Sequence, residues 1–235
     1  MIDCWNLLKF GKDLSDFVKL LKDFEVPVEL IELSNLDSKM QYETNFKVDI
    51  QNIVFNIDKK ISGTIPVGIE LITVTFSNCY ELDSTKDLLL QDPVKDYNFQ
   101  MQIKGYDNNA KEYIFWWHLD KNIESAPPKF THPYYHFQSG GNDLELKDSG
   151  EIILLGAPRL PHPPMDLFLG IHFIINNFLS SKDYPQILVL FKNYEYQEII
   201  KTAQKRMWEP YFNGFGLGNI NSDFTFQNIF PLFVQ

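Results

Sequence analysis

Arginine is nearly missing from this chain of 235 residues: Arg159 and Arg206 are its only two. Lysine and arginine together number 21 against 31 aspartates and glutamates, a formal charge of −10 at neutral pH. Binding to a phosphate backbone needs clustered cations, and bidentate reading of bases favours arginine, so this balance argues against nucleic acid as a primary ligand. Cysteine is equally scarce. Cys4 and Cys79 stand far apart and make neither a disulfide framework nor a cysteine-rich zinc site, so reduced, buried thiols are expected. No apolar run approaches the roughly 20 residues of a membrane span. The start Met1-Ile-Asp-Cys-Trp lacks the basic residues and continuous apolar stretch of a secretory signal. The expectation is a cytoplasmic chain with no membrane span. There is no internal repeat, no low-complexity tract and no Gly-x-Ser-x-Gly elbow. Nucleophilic catalysis therefore has little support, with Ser139 before Gly140-Gly141 only a formal candidate.

The apolar content is ample. At 44% hydrophobic and 15% aromatic the chain can bury a substantial core, and its length suits one compact domain over residues 1–235. Leu14, Phe17, Val18, Leu20 and Leu21 fall at near-helical spacing, predicting a helix over 13–24 that ends at Val26-Pro27. Short β-prone runs follow at Val28–Leu33, Phe46–Ile57 and Ile69–Phe76. A polar linker over 81–96 leads to a hairpin of Tyr97–Tyr106 and Glu112–Leu119 about Asp107-Asn108-Asn109. Thr131–Gln138 and Glu151–Leu155 read as further strands. The prolines of 157–164 precede a helix over Met165–Ser180, and a last helix over Tyr196–Trp208 should stop at Pro210. Asn213-Gly-Phe-Gly-Leu-Gly reads as a flexible connection, since it lacks the Gly-Lys-Ser/Thr ending and following helix of a phosphate loop, and Phe224–Phe233 as a returning edge segment. The fold class is α+β: an N-terminal helix, a mainly antiparallel sheet and C-terminal helices packed on it.

Chemistry concentrates between Thr131 and Asp166. His132 and His136 stand four apart, and His162 precedes Asp166 by four. Three imidazoles and a carboxylate suit a divalent metal. On a strand, however, residues four apart lie roughly 13 Å from each other, so joint ligation by His132 and His136 is disfavoured and a mononuclear site would need one of them with His162 and Asp166 across the fold. A general acid/base reading takes His136 as the base, Arg159 to stabilise an anionic group and Gln138 to orient a carbonyl or water. The structural alternative has Arg159 pair with Asp166 or cap a helix terminus while Gln138 satisfies a strand edge, and leaves the histidines hydrogen-bonded in the core. Trp116-Trp117, Tyr134-Tyr135, Trp208 and Tyr211 would make a partner-binding aromatic platform or be core, with strand alternation sending one member of each pair inward.

The stretch His132-Pro-Tyr-Tyr-His-Phe-Gln-Ser-Gly-Gly, with Pro158-Arg159-Leu-Pro-His162-Pro-Pro-Met-Asp166 and the Asn176-Asn177-Phe178 that closes the next helix, resembles a group of uncharacterised bacterial proteins. That resemblance implies an accessory component of mobile-element or defence-associated gene clusters, and no known reaction. In addition, a leading helix, a meander, Pro127-Pro128 and then His132-Pro133 resemble the ubiquitin-conjugating (E2-like) fold. The departures are Tyr134 where that family has Asn and the absence of any cysteine after His132, so the resemblance implies a non-catalytic, partner-binding variant. Three functional expectations result. The first is a bacterial cytoplasmic accessory protein, of a phage-defence or mobile-element cluster, that binds a partner protein through Tyr134, Tyr135, Trp208 and Tyr211. The second is a hydrolase, metal-dependent or not, using His136, Gln138 and Arg159 with His162 and Asp166. The third is a toxin or antitoxin acting on RNA through a cationic cleft of Lys129, Arg159 and Arg206.

Overall fold

The computed structural model describes residues 2–64, 68–69, 71–88, 90–122, 132–140, 159–213 and 222–229. A 3-10 turn, Ile2–Trp5, leads into α1 (Leu7–Asp23) and α2 (Ile31–Met40). Six strands follow, β1 (Lys47–Ile57), β2 (Leu71–Leu82), β3 (Val94–Tyr106), β4 (Glu112–Lys121), β5 (Tyr135–Ser139) and β6 (Leu160–Pro161). The chain then forms α3 (Leu167–Phe178), α4 (Gln186–Lys192), α5 (Tyr194–Asn213) and a single turn, α6 (Phe226–Ile229). The strands form one antiparallel sheet in the order β1-β2-β3-β4-β5-β6. The α+β class and its N-terminal helix, antiparallel sheet and C-terminal helices are those expected.

Alternation along each strand sorts side chains between two sheet faces. Val48, Ile50, Phe55, Ile72, Val74, Phe76, Phe99, Met101, Leu119 and Phe137 are buried on the near face, beneath the helices. Helix α1 contributes Phe10, Leu14, Phe17 and Leu21, a repeat of three and four residues that makes one apolar stripe. Phe10 and Phe17 both pack against Phe168 of α3, and Phe17 stacks on Tyr196 of α5. Gly170 lets α3 lie close to the sheet, since a Cβ there would stand 2.4 Å from Phe76 and 2.9 Å from Phe99. No helix among the described residues is long and apolar enough to cross a membrane.

Several local expectations are corrected. The run Val28–Leu33 is not a strand: only Val28 bridges to Phe55, and from Ile31 the chain is helical. Leu33, Leu36 and Met40, three and four residues apart, bury one face of α2, and this tertiary burial overrides the β-prone start. The linker over 81–96 is shorter than expected, because β2 runs to Leu82 and β3 begins at Val94. Helix α4, over Gln186–Lys192, was not anticipated. Helix α5 continues through Pro210 to Asn213. Pro210 lies in the last turn, where it removes one backbone hydrogen bond, while Met207 and Tyr211 on either side stay buried. Part of the expected edge segment 224–233 is instead the helical turn α6. The expected strand Glu151–Leu155 and the glycine-rich residues 214–218 lie outside the described residues.

Candidate functional site

The candidate residues separate onto the two sheet faces. On β5, Tyr135 and Phe137 point to the near face, so His136 and Gln138 point to the far face. Register then defines a row across the far face. Ser77 of β2 is opposite Gln100 of β3, Gln100 opposite His118 of β4, and His118 opposite Gln138 of β5. Leu160 of β6 pairs with Phe137, which sets Arg159 beside Gln138 and ends the row with a cation. One step along, Asp120 is opposite His136, and the Gln138 amide donates diagonally to Asp120 Oδ2 at 2.6 Å. Trp116, also on this face, stacks on His118 with centroids 5.8 Å apart and planes 9° from parallel.

His136 is fully buried. Its Nδ1 lies 3.1 Å from the Pro133 carbonyl, which can only accept, so Nδ1 carries the hydrogen and Nε2 keeps a bare lone pair. Burial pushes its pKa down to about 4, and the nearby His132 and Arg159 act in the same direction. The ring is therefore neutral at neutral pH. His132 is closer than a strand would allow, its ring centroid 4.4 Å from that of His136. The expectation of separated rings is corrected because β5 begins only at Tyr135, and the preceding chain bends at Tyr134, bringing the Pro133 carbonyl to the His136 ring.

This far-face patch also concentrates unmet hydrogen bonding. Among the described residues eight buried side-chain nitrogen or oxygen atoms lack a partner, and four belong here: Trp116 Nε1, His118 Nε2, His136 Nε2 and Arg159 Nε. Leaving such a group buried and unpaired costs about 1–3 kcal/mol. Moreover, no carboxylate among the described residues forms an ion pair with Arg159.

The metal and platform candidates lie elsewhere. His162 packs edge-on against Phe137, 5.1 Å between centroids, and Phe137 stacks on Phe173 of α3, so His162 belongs to the near face. Its Nδ1 donates to the Pro163 carbonyl at 2.6 Å, and burial lowers its pKa. Asp166 is completely buried with both oxygens engaged: Oδ1 accepts from the Leu169 amide at 3.0 Å, capping α3, and Oδ2 pairs with Arg206. Burial raises the Asp166 pKa and the Arg206 guanidinium works against that rise. The expected pairing of Arg159 with Asp166 is corrected, because the ion-pair partner of Asp166 is Arg206. The proposed convergence of His136 with His162 and Asp166 is thus corrected: the sheet separates them. No group of three or more metal-ligating side chains occurs among the described residues.

Of the four platform aromatics, Tyr135 and Tyr211 are core. Both pack against Phe224, and the Tyr135 hydroxyl donates to Asp92 Oδ2 at 2.8 Å, with Lys121 2.9 Å from the same oxygen. They are removed from an exposed surface because the turn before α6 covers them. Tyr134 and Trp208 remain half-buried. The cationic cleft is likewise corrected at Arg206, which is buried among Trp5, Phe10, Phe46 and Phe168. Lys129 lies outside the described residues. His118 and Asp120 are the site residues that the sequence reading passed over. The signal was present, since they alternate with Trp116 along one strand and so share its face.

Comparison with protein-family models, with curated proteins and with solved structures finds no match to this chain.

Proposed function

We propose that this chain is a partner-binding accessory protein whose partner engages the far face of the sheet at β4–β6. The observation that carries this reading is the gathering there of four buried polar atoms without a partner among the described residues, one of them the Nε of Arg159, which has no ion-pair partner among those residues either. Trp116 Nε1–H and Arg159 Nε–H are donors only, so an arriving group must bring acceptors. The site thus moves from the tyrosines expected to bind a partner to the far-face patch of Trp116, His118, Gln138 and Arg159. The bacterial defence or mobile-element setting implied by the sequence resemblance accords with an accessory role, as does a His132-Pro133 dipeptide followed by no cysteine.

The test is native mass spectrometry of the protein purified gently from its host, comparing wild type with a Trp116→Phe, Arg159→Gln double variant. The reading expects a co-purifying chain that is lost in the variant while the fold, followed by circular dichroism, is retained. A complex of undiminished abundance in the folded variant removes this assignment of surface.

A hydrolase remains the second reading because His136, Gln138 and Arg159 do share the far face, with the lone pair of His136 Nε2 unengaged. A pKa pushed down to about 4 keeps this base neutral but makes it a weak proton acceptor, which favours binding over catalysis. Ester or phosphoester turnover that disappeared in a folded His136→Gln variant would reverse that ranking.

A further inference from the structure

We propose that the far face holds an oxyanion site in which Arg159 receives a carboxylate or phosphate group brought against the row His118–Gln138–Arg159. This identifies the chemistry of the partner contact and rests on the binding reading above. Three observations support it independently of one another.

The first is electrostatic. In a chain of net charge −10, Arg159 is half-buried without an ion-pair partner among the described residues, whereas the other arginine is fully neutralised by Asp166. A guanidinium withdrawn from water without a counter-charge is costly, and an arriving anion removes that cost. The second is stereochemical. Arg159 Nε is buried with its hydrogen uncommitted, and an arginine Nε–H beside an Nη–H makes the fork that grips two oxygens of a carboxylate or phosphate. The third is the surroundings. The pairing of Leu160 with Phe137 places Arg159, one residue earlier, next to Gln138; its charge acts on His136, whose ring lies against that of His132, and the Asp120 carboxylate is already held by the Gln138 amide. Gln138, tied to Asp120 in this way, offers a fixed floor and not a competing ligand for the guanidinium.

The chain's scarcity of arginine makes the test direct. In this chain only two arginine Nε–H resonances arise, one from Arg159 and one from Arg206, and they are assigned by substituting Arg159. Inorganic phosphate and sodium acetate are titrated separately against chloride at matched ionic strength. The expected result is a saturable movement of the Arg159 signal with phosphate, acetate or both, an unmoved Arg206 signal, and no comparable effect of chloride. Arg159→Lys keeps the charge and loses the fork, and should weaken the interaction by about tenfold. Arg159→Gln should abolish it. Saturation by acetate alone identifies a carboxylate donor such as an acidic side chain or chain terminus, and saturation by phosphate alone a phosphate ester. The proposal is overturned if chloride reproduces the response, or if neither oxyanion moves the Arg159 signal. Its fate is separable from that of the functional reading. A saturable Arg159 response with a host complex that survives Arg159→Gln keeps the oxyanion site and removes the partner assignment. A complex lost in the double variant, with Arg159 indifferent to both anions, does the reverse.

Discussion

The chain's two arginines sit in opposite circumstances, one on each side of the sheet. Arg206 is enclosed by four aromatic rings, donates from Nε to the Cys4 carbonyl at 2.8 Å and pairs with Asp166, which in turn caps α3. One cation thereby ties α5 to the N-terminal turn and to α3. Arg159, beside Gln138 at the other end of the strand order, has its Nε buried and unmet. The difference separates two uses of the same side chain. A guanidinium whose needs are met inside the fold belongs to the fold, and one whose needs are unmet points to something outside it.

The largest expected effect breaks the first member of that comparison. Arg206→Met should destabilise the protein by about 3–5 kcal/mol, because Asp166 is left charged, buried and alone. Urea denaturation checks this, and a loss below about 1 kcal/mol would show that the pair is not the structural tie described here. Next comes acid stability, which probes the far face. The native state resists protonation of His136 until about pH 4, whereas an unfolded chain takes that proton near its ordinary value of about 6.5. Between these limits the unfolded state binds more protons, so stability falls as pH falls, by about 2–3 kcal/mol from His136. His162 and His172, also held low by burial, act in the same direction. Denaturation midpoints measured across this window should flatten in His136→Gln, and an unchanged slope would contradict the burial of this ring.

A smaller effect sharpens the comparison. Adding Asp166→Asn to Arg206→Met should restore most of the lost stability, to within about 1 kcal/mol of wild type, because the stranded charge disappears while asparagine still caps α3. A double variant no more stable than Arg206→Met alone would mean that lost packing dominates the first effect. The smallest effect, of opposite sign, is expected at the other arginine: Arg159→Met should stabilise the ligand-free protein by about 1 kcal/mol, because the unmet donor is removed. A thermal scan that showed a large loss would make Arg159 a structural residue like Arg206 and end the contrast between them.

How much of this was legible in the sequence differs by element. The strand over 71–82 was readable from the alternation of its residues, the hairpin of 97–119 from β-prone runs about the Asp107-Asn108-Asn109 turn, and α1 because Leu14, Phe17 and Leu21 repeat at helical spacing. The start of α2 was misread, since Val28-Glu-Leu-Ile is β-prone locally and only the burial of Leu33, Leu36 and Met40 makes the following residues helical. In the candidate site, His136, Gln138 and Arg159 were identified together by residue type, whereas His162 and Asp166 were grouped with them through nearness in sequence. A strand passes its neighbours alternately to opposite faces, so that nearness was misleading. The rings of His132 and His136 were judged too distant from an extended geometry that the chain around Pro133 does not adopt.

The sequence by itself determined the α+β class, the acidic surface charge, the scarcity of cationic ligands and the periodicity that gives each strand its two faces. These are properties of composition and of local repeat, and they need no knowledge of which segments meet. Only the tertiary structure decided that Asp166 belongs to Arg206, that Tyr135 and Tyr211 are core, and that Trp116, His118, Gln138 and Arg159 share a patch. Each of those facts depends on pairing between residues distant along the chain. Such pairing is set by strand register and by which helix covers which face, and a single sequence records neither.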